Sequence, residues 1–181
     1  MPDLDTAEWP PAPIRTERLL LRASKVSDRA PMIELRSAPE AHEFLGGPHS
    51  RAELDRVMPE IPGNRPGFFV IERDDAFAGF VTIEPRDAAR PGRIRAGAPV
   101  AELAYMLLPS AWGHGYATEA CAAVMKWFVS EFPGEPLVVS TQVANAASMR
   151  VAVKLGFAEV ERHEEWGAEQ WFGGWVPAAP R

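Results

Sequence analysis

Between positions 100 and 143 the sequence reads strand, glycine-bearing turn, helix, strand, and this order limits the fold more tightly than any other stretch. Val100 to Leu108 has strand composition, and Trp112-Gly113-His114-Gly115 turns the chain. Tyr116 to Phe132 carries an apolar stripe at Ala117, Ala120, Cys121, Val124 and Phe128, ended by Pro133-Gly134. Leu137 to Val143 is rich in β-branched residues. Two strands joined through a helix lie parallel, with a right-handed crossover. Gly113 and Gly115 let backbone approach a ligand without a side chain in between. The first turn of the following helix leaves N–H groups unpaired, a natural seat for an anion. The segment therefore predicts a site for a phosphorylated handle. Thr118 stands where a dinucleotide-binding turn would need its third glycine, which disfavours that rival fold.

The flanking sequence supplies the rest of the sheet. Residues 1–14 hold four prolines and read as an irregular lead-in, with residues 15–181 as one domain. Leu19-Leu20-Leu21 reads as a buried strand. Asp28 is placed to cap a helix with Pro31 in its first turn. Pro39 to Leu45 predicts a second short helix, and Ser50-Arg51-Ala52-Glu53 has the capping-box pattern of a third. Phe68 to Glu72 and Ala78 to Glu84 form a hairpin through Arg73-Asp74-Asp75. Pro85 to Pro99 is a long loop. Asn145 to Leu155 is a helix with Asn145 at its N-cap and Gly156 as its stop. Phe157 to Glu165 and Trp171 to Val176 close the chain as two strands. The simplest packing is a mixed sheet with helices on both faces.

Bulk properties remove several functions. With 19 basic and 25 acidic residues the formal charge is −6, which argues against a direct nucleic-acid partner and suits a cationic substrate better. The lone Cys121 rules out an internal disulfide or a cysteine-based zinc site. It falls on the apolar side of a helix, as a core residue. His42, His49 and His163 have no ligand spacing, so no metal is expected. No apolar run approaches the length needed to cross a bilayer, so neither a membrane partner nor a signal segment is expected, and a cytoplasmic location is the default.

Three pieces together resemble the GNAT superfamily of acetyl-CoA-dependent N-acetyltransferases, and within it the branch containing the ribosomal-protein-alanine N-acetyltransferases. They are Thr16-Glu17-Arg18-Leu19-Leu20-Leu21-Arg22, the run Ala101 to Pro109 followed by Trp112 to Ala120, and Asn145-Ala146-Ala147-Ser148 ending in Lys154-Leu155-Gly156-Phe157. The resemblance covers about Arg15 to Val176. It implies an α/β (α+β) fold: a mostly antiparallel sheet of about seven strands, whose central parallel pair is splayed by a bulge to admit acetyl-CoA as co-substrate. It also implies transfer of acetyl to a primary amine by direct attack in a ternary complex. The leading acceptor is a protein or peptide N-terminus. Small amines such as antibiotics or polyamines are the alternative, and a non-catalytic acyl-CoA-binding sensor is the reading from another class.

The resemblance also assigns residues. The amides of Trp112, Gly113, His114, Gly115, Tyr116 and Ala117 would hold the pyrophosphate. The backbone of Met106, Leu107 and Leu108 would pair with the pantetheine arm, and the same segment would steady charge developing on the thioester oxygen. Asn145 would contact the arm or serve only as a helix cap. Ser148 would orient the leaving sulfur or relay a proton to it, or be an ordinary first-turn serine. Glu102 could take the amine's proton or simply pair with a neighbouring strand. Many relatives place an acidic tyrosine further along the last helix, but here that turn is Val151-Ala152-Val153. Tyr105 and Tyr116, the only tyrosines, do not fit that role easily. Glu119 reads as structural. Arg150 and Lys154 meet the adenosine 3′-phosphate or solvent. Trp166, Trp171 and Trp175 are core, homodimer packing or an aromatic acceptor wall.

Overall fold

The computed structural model describes residues 3–87, 89–92, 94 and 100–177. Most of the expected loop beyond residue 92 therefore lies outside the described residues. The elements are β1 (Ile14–Arg15), β2 (Leu20–Arg22), α1 (Arg29–Ser37), α2 (Arg51–Val57), β3 (Phe68–Arg73), β4 (Ala76–Pro85), β5 (Ala101–Leu107), α3 (Tyr116–Glu131), β6 (Leu137–Gln142), α4 (Ala146–Lys154), β7 (Ala158–Glu165) and β8 (Ala168–Trp175). Among the described residues eight strands, one more than the expected seven or so, make one sheet in the order β1-β2-β3-β4-β5-β6-β8-β7. Every neighbouring pair is antiparallel except β5–β6. No helix among the described residues is long and apolar enough to cross a membrane.

Side-chain alternation divides the core between the two faces of the sheet. Ala101, Leu103 and Leu107 of β5 pack with Ala120, Cys121, Val124 and Phe128 of α3 and Ala152 of α4. Met106 and Leu108 turn to the other face, with Phe68, Val70 and Phe80 under Met32 and Leu35 of α1. α3 and α4 thus cover one face, and α1, with α2 packed on it, covers part of the other. Cys121 lies wholly inside, where burial pushes its thiol pKa up.

Several local expectations change. The opening segment carries a 3-10 turn at Leu4–Thr6 and a two-residue strand, and sets Trp9 edge-on against Phe69 and Trp127. Asp28 precedes α1 but does not cap it with its side chain. Arg22 and the Lys25 N–H recruit that carboxylate instead, at 2.7 and 2.8 Å, and the charge-assisted contact to Arg22 is the stronger attraction. Ser50 sits at the N-cap of α2 without a side-chain bond. The helix expected over 39–45 is one 3-10 turn at Glu40–His42. Asp74 and Asp75 both have positive φ, 50° and 62°, as a tight hairpin turn between two right-twisted strands requires.

Candidate active site

The parallel ladder decides where a ligand can enter. β5 and β6 pair only at Ala101↔Leu137 and Glu102↔Val138, after which the strands run on unpaired with each other. On its other side β5 pairs with β4 without interruption from Ala101 to Leu107. Pro85 opposite Ala101 and Gly79 opposite Leu107 mark the ends of that ladder. A Cβ on Gly79 would collide with the Met106 carbonyl, so only glycine lets the strands close there. The gap between β5 and β6 is therefore a property of that edge alone.

Backbone alternation says which groups face the gap. The Leu108 N–H donates to the Ala78 carbonyl at 2.9 Å, and the Arg86 N–H donates to the Val100 carbonyl. Even-numbered residues of β5 thus spend their peptide groups on β4, and odd-numbered ones aim theirs at β6. Of Met106, Leu107 and Leu108, only Leu107 turns its peptide groups into the gap, and Tyr105 joins it. The Leu107 carbonyl already accepts the Trp112 indole N–H at 3.0 Å.

Beyond the gap, Pro109–Ala111 forms a 3-10 turn and the chain rises into α3. Gly115 caps α3 in the left-handed region, at φ 79°, and the first helical bond runs from the Glu119 N–H to the Gly115 carbonyl. Among the described residues, the N–H groups of Gly113, His114, Gly115, Tyr116, Ala117 and Thr118 have no protein acceptor. Trp112 differs: its N–H closes the 3-10 turn onto the Pro109 carbonyl at 3.1 Å. The unpaired run therefore begins one residue later than expected and extends to Thr118.

A brace from the other end of the chain fixes this turn. Glu119 accepts from the Thr16 hydroxyl at 2.6 Å, the Arg18 N–H at 2.9 Å and the Arg18 guanidinium. Arg18 also donates to the His114 carbonyl at 2.9 Å and lies over the Tyr116 ring, which His114 stacks against. Burial alone would raise the Glu119 pKa, but the bonds from Thr16 and Arg18 outweigh it and hold the carboxylate below its ordinary value. Glu119 is thus structural as expected, though it bridges to another element rather than within its own helix. Arg73 also approaches the Tyr116 ring, 5.2 Å from its centre. Neither Arg18 nor Arg73 was among the expected site residues. Arg18 was visible in the Thr16-Glu17-Arg18 motif, whereas nothing in the hairpin around Arg73 pointed here.

On the α3–α4 face, Asn145 caps α4 by accepting from the Ser148 N–H at 3.1 Å. The Tyr105 hydroxyl donates to Ser148 Oγ at 3.0 Å. Burial pushes the Tyr105 pKa up to about 12 against a smaller lowering by Ser148. The structure thus joins a tyrosine given no role to the serine singled out on α4. Lys154 lines a groove of about 480 Å³ between α3 and α4, together with Lys126 and Trp175, while Arg150 is exposed.

Glu102 projects to the opposite face. One oxygen accepts from Arg86 at 2.6 Å and the other from Arg90 at 3.0 Å, and Arg90 continues to Glu165. Each oxygen thus holds one arginine. Trp166 stands 73% exposed at the β7–β8 turn with Arg90 over its ring, whereas Trp171 is core and donates to Glu159 at 2.8 Å. The three tryptophans therefore form no single cluster.

Known proteins share this architecture. An acetyltransferase of the GNAT family from Bacillus anthracis superposes with a TM-score of 0.72 at 17% identity, covering 91% of this chain and 98% of that one. The RimL ribosomal L7/L12 α-N-protein acetyltransferase, solved in complex with coenzyme A, superposes with a TM-score of 0.68 at 20% identity, covering 91% and 98%. The uncharacterized protein YkkB of Bacillus subtilis is 25% identical over 158 residues, covering 83% of this chain and 88% of its own length. Residues 18–158 match the acetyltransferase (GNAT) domain family. That match spans most of the chain, and the protein therefore belongs to the GNAT acetyltransferase family, with acetyl-CoA as its acyl donor.

Proposed function

We propose that this protein acetylates the α-amine of a protein or peptide N-terminus. The observation that carries the reading is the run of unpaired amides from Gly113 to Thr118, set at the mouth of the β5–β6 gap. Such a run suits a diphosphate, and the gap suits an extended arm that borrows the free edge of β5. When bound, acetyl-CoA supplies a thioester carbonyl open to an uncharged amine. The Leu107 N–H is aimed into the gap, where a donor can steady charge on that carbonyl oxygen.

Ser148 and Tyr105 act at the leaving sulfur in this reading. A hydroxyl that accepts one hydrogen bond has its own proton left to offer. By donating to Ser148 Oγ, Tyr105 leaves the serine O–H free to turn to another acceptor. Tyr105 stays protonated, since a phenol whose pKa is pushed up to about 12 is a poor source of protons near neutrality. It is a positioning residue, and Ser148 is the group that meets the sulfur.

The commitment of Glu102 to Arg86 and Arg90 bears on the acceptor. A lysine amine, with a pKa near 10.4, needs a strong base at neutral pH, whereas an α-amine near 8 is already partly uncharged. With its carboxylate so occupied, Glu102 shapes the acceptor face in this reading rather than collecting the proton. RimL, a fold neighbour, is described as an α-N-protein acetyltransferase, which accords with that choice. Thiol release from acetyl-CoA over a panel of N-terminal peptides, N-terminally blocked lysine peptides, polyamines and aminoglycosides tests the proposal. Preferential turnover of free N-termini is expected. Turnover confined to the small amines overturns the acceptor assignment, and saturable binding without any turnover favours the sensor.

A further inference from the structure

We infer that the acceptor carries a carboxylate close to the amine it offers, and that Arg36 binds it. This rests on the acetyltransferase reading above and names the acceptor chemistry for the same site. Ala104 is exposed although it lies on a central strand of an eight-stranded sheet, so the face carrying α1 is open there. Register sets Thr82 beside Ala104, with Phe80 beside Met106 and Glu84 beside Glu102. Over that row stands Arg36 from the last turn of α1, its guanidinium 5.6 Å from the centre of the Phe80 ring.

The charges around this floor do not cancel. Glu84 accepts from Arg65 at 2.8 Å and from Thr82 at 3.0 Å, and Glu102 is divided between Arg86 and Arg90. Among the described residues no carboxylate forms a salt bridge with Arg36. Arg36 is half-buried, and burial lowers its pKa, with Glu84 supporting its charge and Arg65 opposing it more weakly. A half-buried guanidinium with no salt-bridge partner among the described residues, beside an open floor, can grip a planar anion by two parallel bonds.

Reach fixes where that anion sits on the acceptor. The amine meets the thioester beyond β5 while Arg36 lies over β4, a separation of about 7–10 Å for strands about 4.8 Å apart. An acidic side chain at the second or third residue of a peptide spans that distance, as extended chain advances about 3.4 Å per residue. A small amine with a distal carboxylate offers the same chemistry. The overall charge of −6, which suggested a cationic substrate, does not describe this cleft.

The test uses isosteric pairs. The kcat/KM for acetylation of peptide amides with glutamate at position two or three is compared with glutamine at the same position, and free glutamate with free glutamine. In the intact protein the acidic member of a pair is expected to win by about tenfold or more, chiefly through KM. Arg36→Gln brings the ratio near one, and Arg36→Lys keeps part of it. A preference in the peptide pairs alone identifies a protein N-terminus, and one in the free amino acids identifies a small acceptor. A ratio near one in the unmodified protein for every pair, or an undiminished ratio in Arg36→Gln, overturns the inference. Calorimetry of the same pairs on CoA-saturated protein separates this claim from the acetylation reading. Acid-selective, Arg36-dependent binding without turnover sinks that reading alone, whereas charge-blind binding or no binding sinks this one.

Discussion

Gly113 and Gly115 have φ of 78° and 79°, a region that side chains avoid, and a Cβ on Gly113 would meet no neighbour. Backbone conformation rather than crowding therefore constrains Gly113, which permits a clean charge test. Asparagine and aspartate tolerate this region better than other residues. Gly113→Asn is expected to fold and bind acetyl-CoA with modest loss, while Gly113→Asp, equal in shape, weakens binding at least about tenfold further. Equal dissociation constants for the two variants by calorimetry would contradict a diphosphate at these amides. The glycines were legible in the sequence because the conformation they serve almost requires them. The Tyr105–Ser148 pair was not, since residues 43 apart meet only once β5 and α4 have packed on one face. Ser148→Ala is expected to lower kcat about 100-fold with chemistry rate-limiting, leaving acetyl-CoA affinity nearly unchanged. Tyr105→Phe costs less, and the double variant is no slower than Ser148→Ala alone, because Tyr105 works through Ser148. Additive losses in steady-state kinetics would separate the two residues.

Elements with strong end signals were readable. The apolar stripe of α3 and the Asn145 and Gly156 boundaries of α4 belong to single segments, and the structure keeps them. β1 was missed because two residues carry no period, and its pairing with β2 is what defines it. The opening between β5 and β6 was invisible for a related reason: a ladder that stops after two pairs reflects the packing of two strands, not the composition of either. The join between the β1–β2 turn and α3 also depends on tertiary packing, and it carries its own test. Glu119→Gln removes the charge that gathers Thr16 and Arg18 around the α3 N-terminus. A loss of about 1–2 kcal/mol is expected in denaturant unfolding, discounted for the partial exposure of Arg18, with weaker acetyl-CoA binding as the turn loosens. Because the folded-state pKa of Glu119 is depressed, its contribution is complete above the ordinary carboxylate value and drains as pH falls through the lower one. The variant should therefore differ from the parent at pH 7 and converge with it in acid, as the Glu119 carboxylate becomes protonated in the folded state. A stability gap that widens in acid would contradict this role.

For the whole molecule, chain length and alternating segments were enough to foresee one mixed sheet between helical layers. Net charge was a poorer guide. The surplus of acidic residues is a sum over the surface, whereas Arg18 and Arg73 gather at the amide turn and Arg36 faces the open floor. Local fields in a cleft follow the groups that line it, not the total. The two faces of the sheet divide the labour in this account. The α3–α4 face holds the Tyr105–Ser148 pair, the α1 face receives the acceptor, and the gap beside β5 connects them. The amides at the mouth of that gap bear the whole arrangement, so they are the place to measure. Amide chemical shifts of isotope-labelled protein, followed while coenzyme A and then pantetheine are titrated in, address them directly. The largest changes are expected at Gly113 to Thr118 with coenzyme A, and their near absence with pantetheine, which lacks the diphosphate. Equal changes with both ligands, or quiet amides from 113 to 118 in the coenzyme A complex, would contradict it.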